Sequence, residues 1–354
     1  MQASIGLELR PGLRIGVRMF AAVHFKNFKA LRAAAVELGP FNLFIGPNGS
    51  GKTSLIQALL RLRTLAALPV THASELQGHR PDGPQIEFHF IAPFEKIRVT
   101  LGCNSDEMVC NLLVVDHPPE PAYEALWADL RDTGLRNIRA YLFDHYAMAL
   151  PAKRADGAEL ASNAGNLAAV LARWREKHAA EWGALEMDFC RILPEYAGLD
   201  IRAAGDGHVE LLARLAGGGE LIAADSLSQG TLYLLATLAL AHAPEPPSVV
   251  CLEEADRGVH PRMLREVRDA LYRLSHPHAA GLNRAPTQVI TTTHSPYLLD
   301  LYKDHPEEIV LASKAGNAAT FMRLSERTDL GDLLKEAHLG DLWYSGILGG
   351  VPGE

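Results

Sequence analysis

Apolar positions change their period along the chain, and each change marks a different kind of element. Residues 20–26 (FAAVHFK) and 41–45 (FNLFI) are short aliphatic and aromatic runs bounded by Gly39–Pro40 and Gly46–Pro47, which predicts strands. After Gly51 the period lengthens. Leu55, Leu59, Leu62 and Ala66 make the stripe of an amphipathic helix that ends before Pro69. Segment 70–85 carries turn residues without a period and predicts a loop. Three runs at 86–91, 97–103 and 108–115, parted by short polar turns, predict an antiparallel meander. From about 121 to 197 the spacing is mostly helical, with a polar interruption at 153–166 and Leu167, Val170, Leu171 and Trp174 on one helical face. Residues 208–215 return to strand. Helix (231–242), strand (249–253), helix (261–274), strand (288–293), helix (296–303) and strand (308–312) then alternate, as in a parallel sheet covered by helices. No heptad is sustained, so a long coiled-coil arm is not expected.

Composition narrows the classes. The 354 residues suffice for two lobes with a sizeable core, and 48% hydrophobic against 21% charged excludes wholesale disorder. A net charge of −8 argues against a surface built throughout to coat nucleic acid. No apolar window approaches the length of a membrane span. Four cysteines (Cys103, Cys110, Cys190, Cys251) form no C-x-x-C pair. Neither a disulfide framework nor a zinc site is expected from them; Cys103 and Cys110 are read as strand packing and the cytoplasm as the compartment. Residues 1–18 lack the apolar run of a secretory signal, and the ordered domain is expected to start near Met19, after a disordered leader.

Gly46-Pro-Asn-Gly-Ser-Gly-Lys52-Thr53 matches G-x-x-x-x-G-K-[ST], after a predicted strand and opening a predicted helix. Glycines let the backbone wrap a phosphate with its N–H groups pointing inward and the helix N-terminus behind. Lys52 is placed to reach the β- and γ-phosphates and the Thr53 hydroxyl to hold Mg²⁺. The motif predicts a nucleoside triphosphate site. In SVVCLEEADRGVHP (248–261), four apolar residues end in Glu253 and Glu254, a costly pair unless charge or metal awaits them. One acid can serve Mg²⁺ through water and the next can orient an attacking water. Leu227-Ser228-Gln229-Gly230 opens another helix, with Ser228 either a plain N-cap or a ligand-binding residue. QVITTTHSPYLLD (288–300) places His294 at the C-terminal end of a strand, where α/β folds contact ligands.

These four motifs, in this order, resemble the ABC-type ATPases of the RecF, OLD and SMC group, most of all compact bacterial AAA-family ATPases. The likeness spans residues 20 to about 345 and includes the flanking FKNFKAL (25–31), HP (260–261) and HSPYLLD (294–300). It implies an α/β P-loop NTPase head of ABC type, with a mixed sheet, an antiparallel β subdomain and a helical insertion. The corresponding division is a leader at 1–18, an N-terminal lobe at 19–120, the insertion at 121–207 and a C-terminal lobe at 208–354.

The resemblance further implies a homodimer with two ATP molecules sandwiched between the phosphate loop of one chain and the signature of the other. Asn48, Gly49, Ser50, Gly51, Lys52, Thr53 and Ser54 would cradle the phosphates. Thr53 and Glu253 would serve Mg²⁺, Glu254 would position the lytic water, and His294 would contact the γ-phosphate. Ser228 and Gly230 would act on the partner's nucleotide. Lys29 stands where similar proteins place a basic residue near the nucleotide, and Gln77 or Gln85 is the candidate Mg-sensing glutamine. Two features depart from the general pattern: Glu253 replaces the usual Asp, and the signature reads LSQGT. The Thr53-to-Ser228 spacing exceeds that of transporter subunits and falls far short of SMC arms. No acidic D-x-D cluster follows His294, so a fused TOPRIM nuclease is not expected. Similar ATPases sit beside a TOPRIM-like or other nuclease in phage-defence operons, which implies a separate effector. A second reading, a RecF-like DNA clamp, would use Arg131, Arg136, Arg139, Lys153, Arg154, Arg173, Arg175 and Lys177 as a groove; the acids mixed among them favour a solvated surface. A transporter subunit is the remote third. The aromatic Trp343 and Tyr344 near the C-terminus either dock an effector or pack on the head.

Overall fold

A computed structural model of the protein describes residues 19–68, 83–104, 109–155 and 159–349. The expected leader and Gln77 lie outside the described residues. The first half contains β1 (Phe20–Phe28), β2 (Leu31–Glu37), β3 (Phe41–Ile45), α1 (Lys52–Ala66), β4 (Gln85–Phe90), β5 (Arg98–Cys103), β6 (Cys110–Asp116) and α2 (Pro121–Asp129). A π turn and a 3₁₀ turn lead to β7 (Ile138–Tyr141), α3 (His145–Met148), β8 (Ala152–Lys153), α4 (Leu167–Lys177) and α5 (Ala179–Ile192). Then come β9 (Tyr196–Gly205), β10 (His208–Leu215), β11 (Leu221–Ala223), α6 (Gln229–Ala241), β12 (Val249–Leu252) and α7 (Leu264–Ser275). The chain closes with β13 (Gln288–Thr292), α8 (Pro296–Asp300), β14 (Ile309–Ala315), β15 (Ala318–Arg323), α9 (Leu330–Glu336) and α10 (Leu339–Tyr344).

The central six-stranded sheet runs β15-β14-β3-β13-β12-β7, parallel except for the antiparallel edge strand β15. Its inner strands β3, β13 and β12 are buried on both faces, which is why they read as unbroken apolar runs. In β12, Val249 and Cys251 belong to one core, while Val250 and Leu252 belong to the other. The first core lies between this sheet, α1 and the antiparallel sheet β2-β1-β4-β5-β6; the second joins the sheet to α4, α5, α6 and α7. Helix α6 is buried from Gly230 to Ala241, as its nearly uniform apolar sequence demands.

Two buried amides tie the sheets together at the N-terminal end of the strands. Gln288 accepts from Phe20 N (3.0 Å) and donates to the carbonyls of Phe20 and Gly39 (both 2.9 Å). Asn42 donates to Gly39 O (2.9 Å) and Val289 O (3.1 Å) and accepts from Gly39 N (2.8 Å) and Arg323 (2.7 Å). Both side chains are fully buried, and their bonds offset the cost of desolvating them.

Three expectations need correction. The stretch read as helical contains β7, which pairs in parallel with β12, residue for residue from Ile138↔Val249 to Tyr141↔Leu252. Four residues are too short to show a strand's period, and tertiary pairing decided the outcome. Strand β9 likewise begins at Tyr196, before the return to strand foreseen at 208. Cys103 and Cys110 form a disulfide across β5 and β6. The sequence spacing of a hairpin does not distinguish packed thiols from bonded ones, and cysteine usage therefore no longer argues for a reducing compartment. No helix among the described residues is long and apolar enough to cross a membrane.

Candidate nucleotide site

β3 feeds the phosphate loop, and the loop's glycines answer to steric limits. A Cβ on Gly46 would lie 2.1 Å from Ala312 O of the neighbouring strand β14, so no side chain fits there. Gly51, at φ 96, sits in the left-handed region, and a Cβ would meet Leu31 at 2.9 Å. From Lys52 the chain enters α1, with no side chain capping its N-terminus, and a helix N-terminus of this kind favours an anion.

The loop forms one wall of an open cleft of about 550 Å³. Asn48, Gly49, Ser50, Gly51, Lys52, Thr53 and Ser54 line it from one side; Glu253, Glu254, Thr292 and His294 line it from the other. The opposing residues come from the C-terminal ends of β12 and β13, where the strand order reverses around β3. The Thr53 hydroxyl donates to Glu253 Oε2 at 3.1 Å, a pair of hard oxygen donors suited to Mg²⁺. Lys52 is buried and its Nζ donates to the carbonyls of Gly46 (2.6 Å) and Pro47 (2.9 Å). Burial lowers its pKa to about 8, against the opposing pull of Glu253 and Glu254. Ser50 Oγ is buried with no hydrogen-bond partner among the described residues. A desolvated ammonium, an unmatched hydroxyl and a glycine-built hollow are what a triphosphate with Mg²⁺ would complete, so these residues fit that ligand.

Glu254 is a non-glycine residue at φ 52, a conformation that costs about 1–3 kcal/mol unless its surroundings hold it. Its N–H donates to Thr292 Oγ1 at 2.9 Å, and its carboxylate lies 3.7 Å from Arg257 Nε. Two residues on, Asp256 accepts from the Thr293 hydroxyl, while Thr293 Oγ1 accepts from Ser295 N at 2.9 Å. These bonds set His294 between the Glu253–Glu254 turn and α8. Burial, then the nearby Lys52 charge, lowers the His294 pKa below 6.5, so a neutral imidazole faces the cleft at pH 7.

The structure does not bring every candidate together. Ser228 caps α6, accepting from Thr231 N at 3.1 Å, and with Gly230 stands outside the cleft's lining. Gly230 packs on the turn after β12: its missing Cβ would be 2.8 Å from Gly258 O. Lys29 lies in the β1–β2 turn and donates to Gln57 of α1 at 2.8 Å, one turn beyond Thr53 and away from the cleft. Gln85 opens β4, opposite Lys26 in the antiparallel sheet, and does not line the cleft. Three neighbours escaped sequence reasoning: Thr292, Arg257 and Lys314. Lys314 Nζ lies 3.8 Å from where a Gly49 Cβ would stand. The hydroxyls of the TTTH run and the arginine after EEAD are visible in sequence; the positive φ that aims Glu254 is not.

At least four of the eight basic residues of the middle segment are paired with acids. Arg131 pairs with Asp132 (2.8 Å), Arg139 with Glu159 (2.5 Å), Arg154 with Glu176 (2.5 Å), and Arg175 with Asp200. At the C-terminus, Leu339, Leu342 and Leu348 are buried and Trp343 packs against the core, whereas Tyr344 is 87% exposed.

A family model described as "AAA domain, putative AbiEii toxin, Type IV TA system" matches residues 41–300. Among solved structures, the chain is similar to an Smc head bound to the C-winged helix domain of ScpA. There the TM-score is 0.55 at 16% identity, over 86% of this chain and 96% of that one. It is also similar to an Smc head with an extended coiled coil bound to the C-terminal domain of ScpA, derived from Pyrococcus furiosus. In that case the TM-score is 0.53 at 12% identity, over 90% and 98% of the two chains. No curated protein matches the chain. With a match over most of its length and the fold of the SMC heads, the chain belongs to this AAA-domain family and is an ABC-like AAA ATPase.

Proposed function

We propose that the chain binds and hydrolyses ATP, and that ATP draws two copies together head to head. The observation that carries this reading is the convergence of Lys52, Thr53, Glu253, Glu254 and His294 on one cleft while Ser228 and Gly230 stand outside it. A cleft with its own phosphate loop and acids, beside an unused helix N-terminus on the same chain, is complete only when a second copy supplies that terminus. ATP with Mg²⁺ would supply the phosphoanhydride and the charge that polarises it. Lys52 and the loop N–H groups would hold the phosphates, and Thr53 and Glu253 would hold the metal. Glu254 would orient and deprotonate a water, and His294 would donate a hydrogen bond from its neutral ring to the terminal phosphate. Ser228 and Gly230 would reach the nucleotide of the partner.

The cycle would gate a separate effector protein, a TOPRIM-like or other nuclease, in a phage-defence system. The family's description as a toxin of a toxin–antitoxin system and the ScpA domains bound by the Smc heads support a partner-controlling role. Direct DNA clamping is the weaker reading, since at least four of the arginines it would use are engaged with acids. Glu254→Gln, mixed with saturating Mg-ATP and followed by light scattering after size exclusion, tests the proposal. A stable dimer that dissociates when ATP is removed is expected; a chain that stays monomeric would overturn it.

A further inference from the structure

The antiparallel sheet carries a second cluster of metal-binding chemistry, away from the nucleotide cleft. Side chains on β4 alternate between faces: Ile86, Phe88 and Phe90 enter the core, and Gln85, Glu87 and His89 point outward. On β1, Val23 and Phe25 are buried and His24 faces out. The register sets His24 directly opposite Glu87, with His89 two residues along the same outer face. One donor atom from each of His24, Glu87 and His89 lies within 4.8 Å of the other two. Across the register on this face stand the small Ala22 and Ala35, with Arg98 opposite His89 on β5.

His89 gives a second, independent sign. Its Nε2 lies 2.6 Å from Glu87 Oε1, yet the approach is not that of a hydrogen bond, and this nitrogen is shielded from solvent without a hydrogen-bond partner among the described residues. Two electron-pair donors held close but not aimed at one another suit a shared cation. The His24 and His89 rings are 4.5 Å apart, centroid to centroid, and tilted by 37°.

We propose that His24, Glu87 and His89 bind a first-row transition-metal ion, Zn²⁺ foremost. Two imidazoles and one carboxylate make a nitrogen-rich set that favours Zn²⁺, Ni²⁺ or Cu²⁺ over Mg²⁺ or Ca²⁺. Three protein ligands leave a fourth position to water in tetrahedral geometry. Arg98 Nε, 3.3 Å from Glu87 Oε1, shares this carboxylate; the metal would take the oxygen face the guanidinium leaves. The site spans β1 and β4 and would staple the sheet on its solvent face. It is separate from the residues proposed for ATP, so either proposal stands if the other fails.

The test uses the full untagged chain, stripped with chelator, desalted, and kept in excess Mg²⁺ to occupy the phosphate-loop site. Zn²⁺ is titrated against a chromophoric chelator. One tight equivalent is expected in the wild type and in His294→Ala, weakened at least tenfold in His24→Ala and in His89→Ala. Unchanged circular dichroism would show that these outward-facing substitutions leave the fold intact. Co²⁺ in place of Zn²⁺ should give visible d–d bands in the wild type that vanish in His24→Ala. No tight equivalent, or one that survives both histidine substitutions, would overturn the proposal; so would loss of the equivalent in His294→Ala instead.

Discussion

Lys52 has the most at stake among the residues of the cleft. Its ammonium is removed from water and rests on two loop carbonyls, with the charges of Glu253 and Glu254 as partial compensation. Its folded pKa of about 8, below the ordinary 10.5, means that the fold disfavours the charged form. That cost is present in full below pH 8 and fades as pH rises toward 10.5, so the nucleotide-free chain gains stability across this window. A polyphosphate beside Lys52 reverses the balance and raises the pKa. ATP binding is therefore expected to take up close to one proton per chain near pH 9 through Lys52. Calorimetry in buffers of different ionisation enthalpy measures that uptake. Lys52→Ala should lose ATP binding, and a wild-type chain that binds at pH 9 without proton uptake would contradict the assignment. Lys52 itself was legible in the sequence, because its motif fixes it at the head of a helix after a strand. Its fold-back onto Gly46 and Pro47 was not, since a side-chain rotamer leaves no trace in residue spacing.

At the scale of elements, the turn after β12 joins the cleft acids Glu253 and Glu254 to the start of α6. It begins with Glu254 in the left-handed region and continues to Gly258, at φ 65, which packs on Gln229 and Gly230 at the start of α6. The turn thus packs the acids' strand end against the helix N-terminus. Gly258→Ala would place a Cβ 2.6 Å from the Gln229 side chain and strain a positive φ. It should destabilise the chain by about 1–3 kcal/mol, read as a lowered Tm. An unchanged Tm would show that the turn yields freely. The long-period helices and the meander could be read from sequence because their apolar positions repeat often enough to declare a period. β7, with four residues between helical turns, could not. Its place is set by pairing with β12, more than a hundred residues further along the chain. The outer-face histidine cluster was equally hidden: His24 and His89 are far apart in sequence, and only the strand register makes them neighbours.

Across the whole molecule, the proposal assigns one chain two unlike half-sites: a cleft with phosphate loop, acids and His294, and a helix N-terminus capped by Ser228 that is not part of that cleft's lining among the described residues. The motif order announced both halves, but a single sequence carries no information on which copy of a half-site meets which. If each copy supplies what the other lacks, damage to the two halves should complement. Lys52→Ala spoils the loop and Ser228→Arg spoils the signature, so each chain alone should form only defective pairs. A mixed pair would contain one site built from the intact loop of one chain and the intact signature of the other. The decisive measurement is ATP hydrolysis by an equimolar mixture of the two inactive variants. Recovery of a clear fraction of wild-type turnover, rising with protein concentration, is the predicted result; a mixture as inactive as its components would contradict the shared-site account.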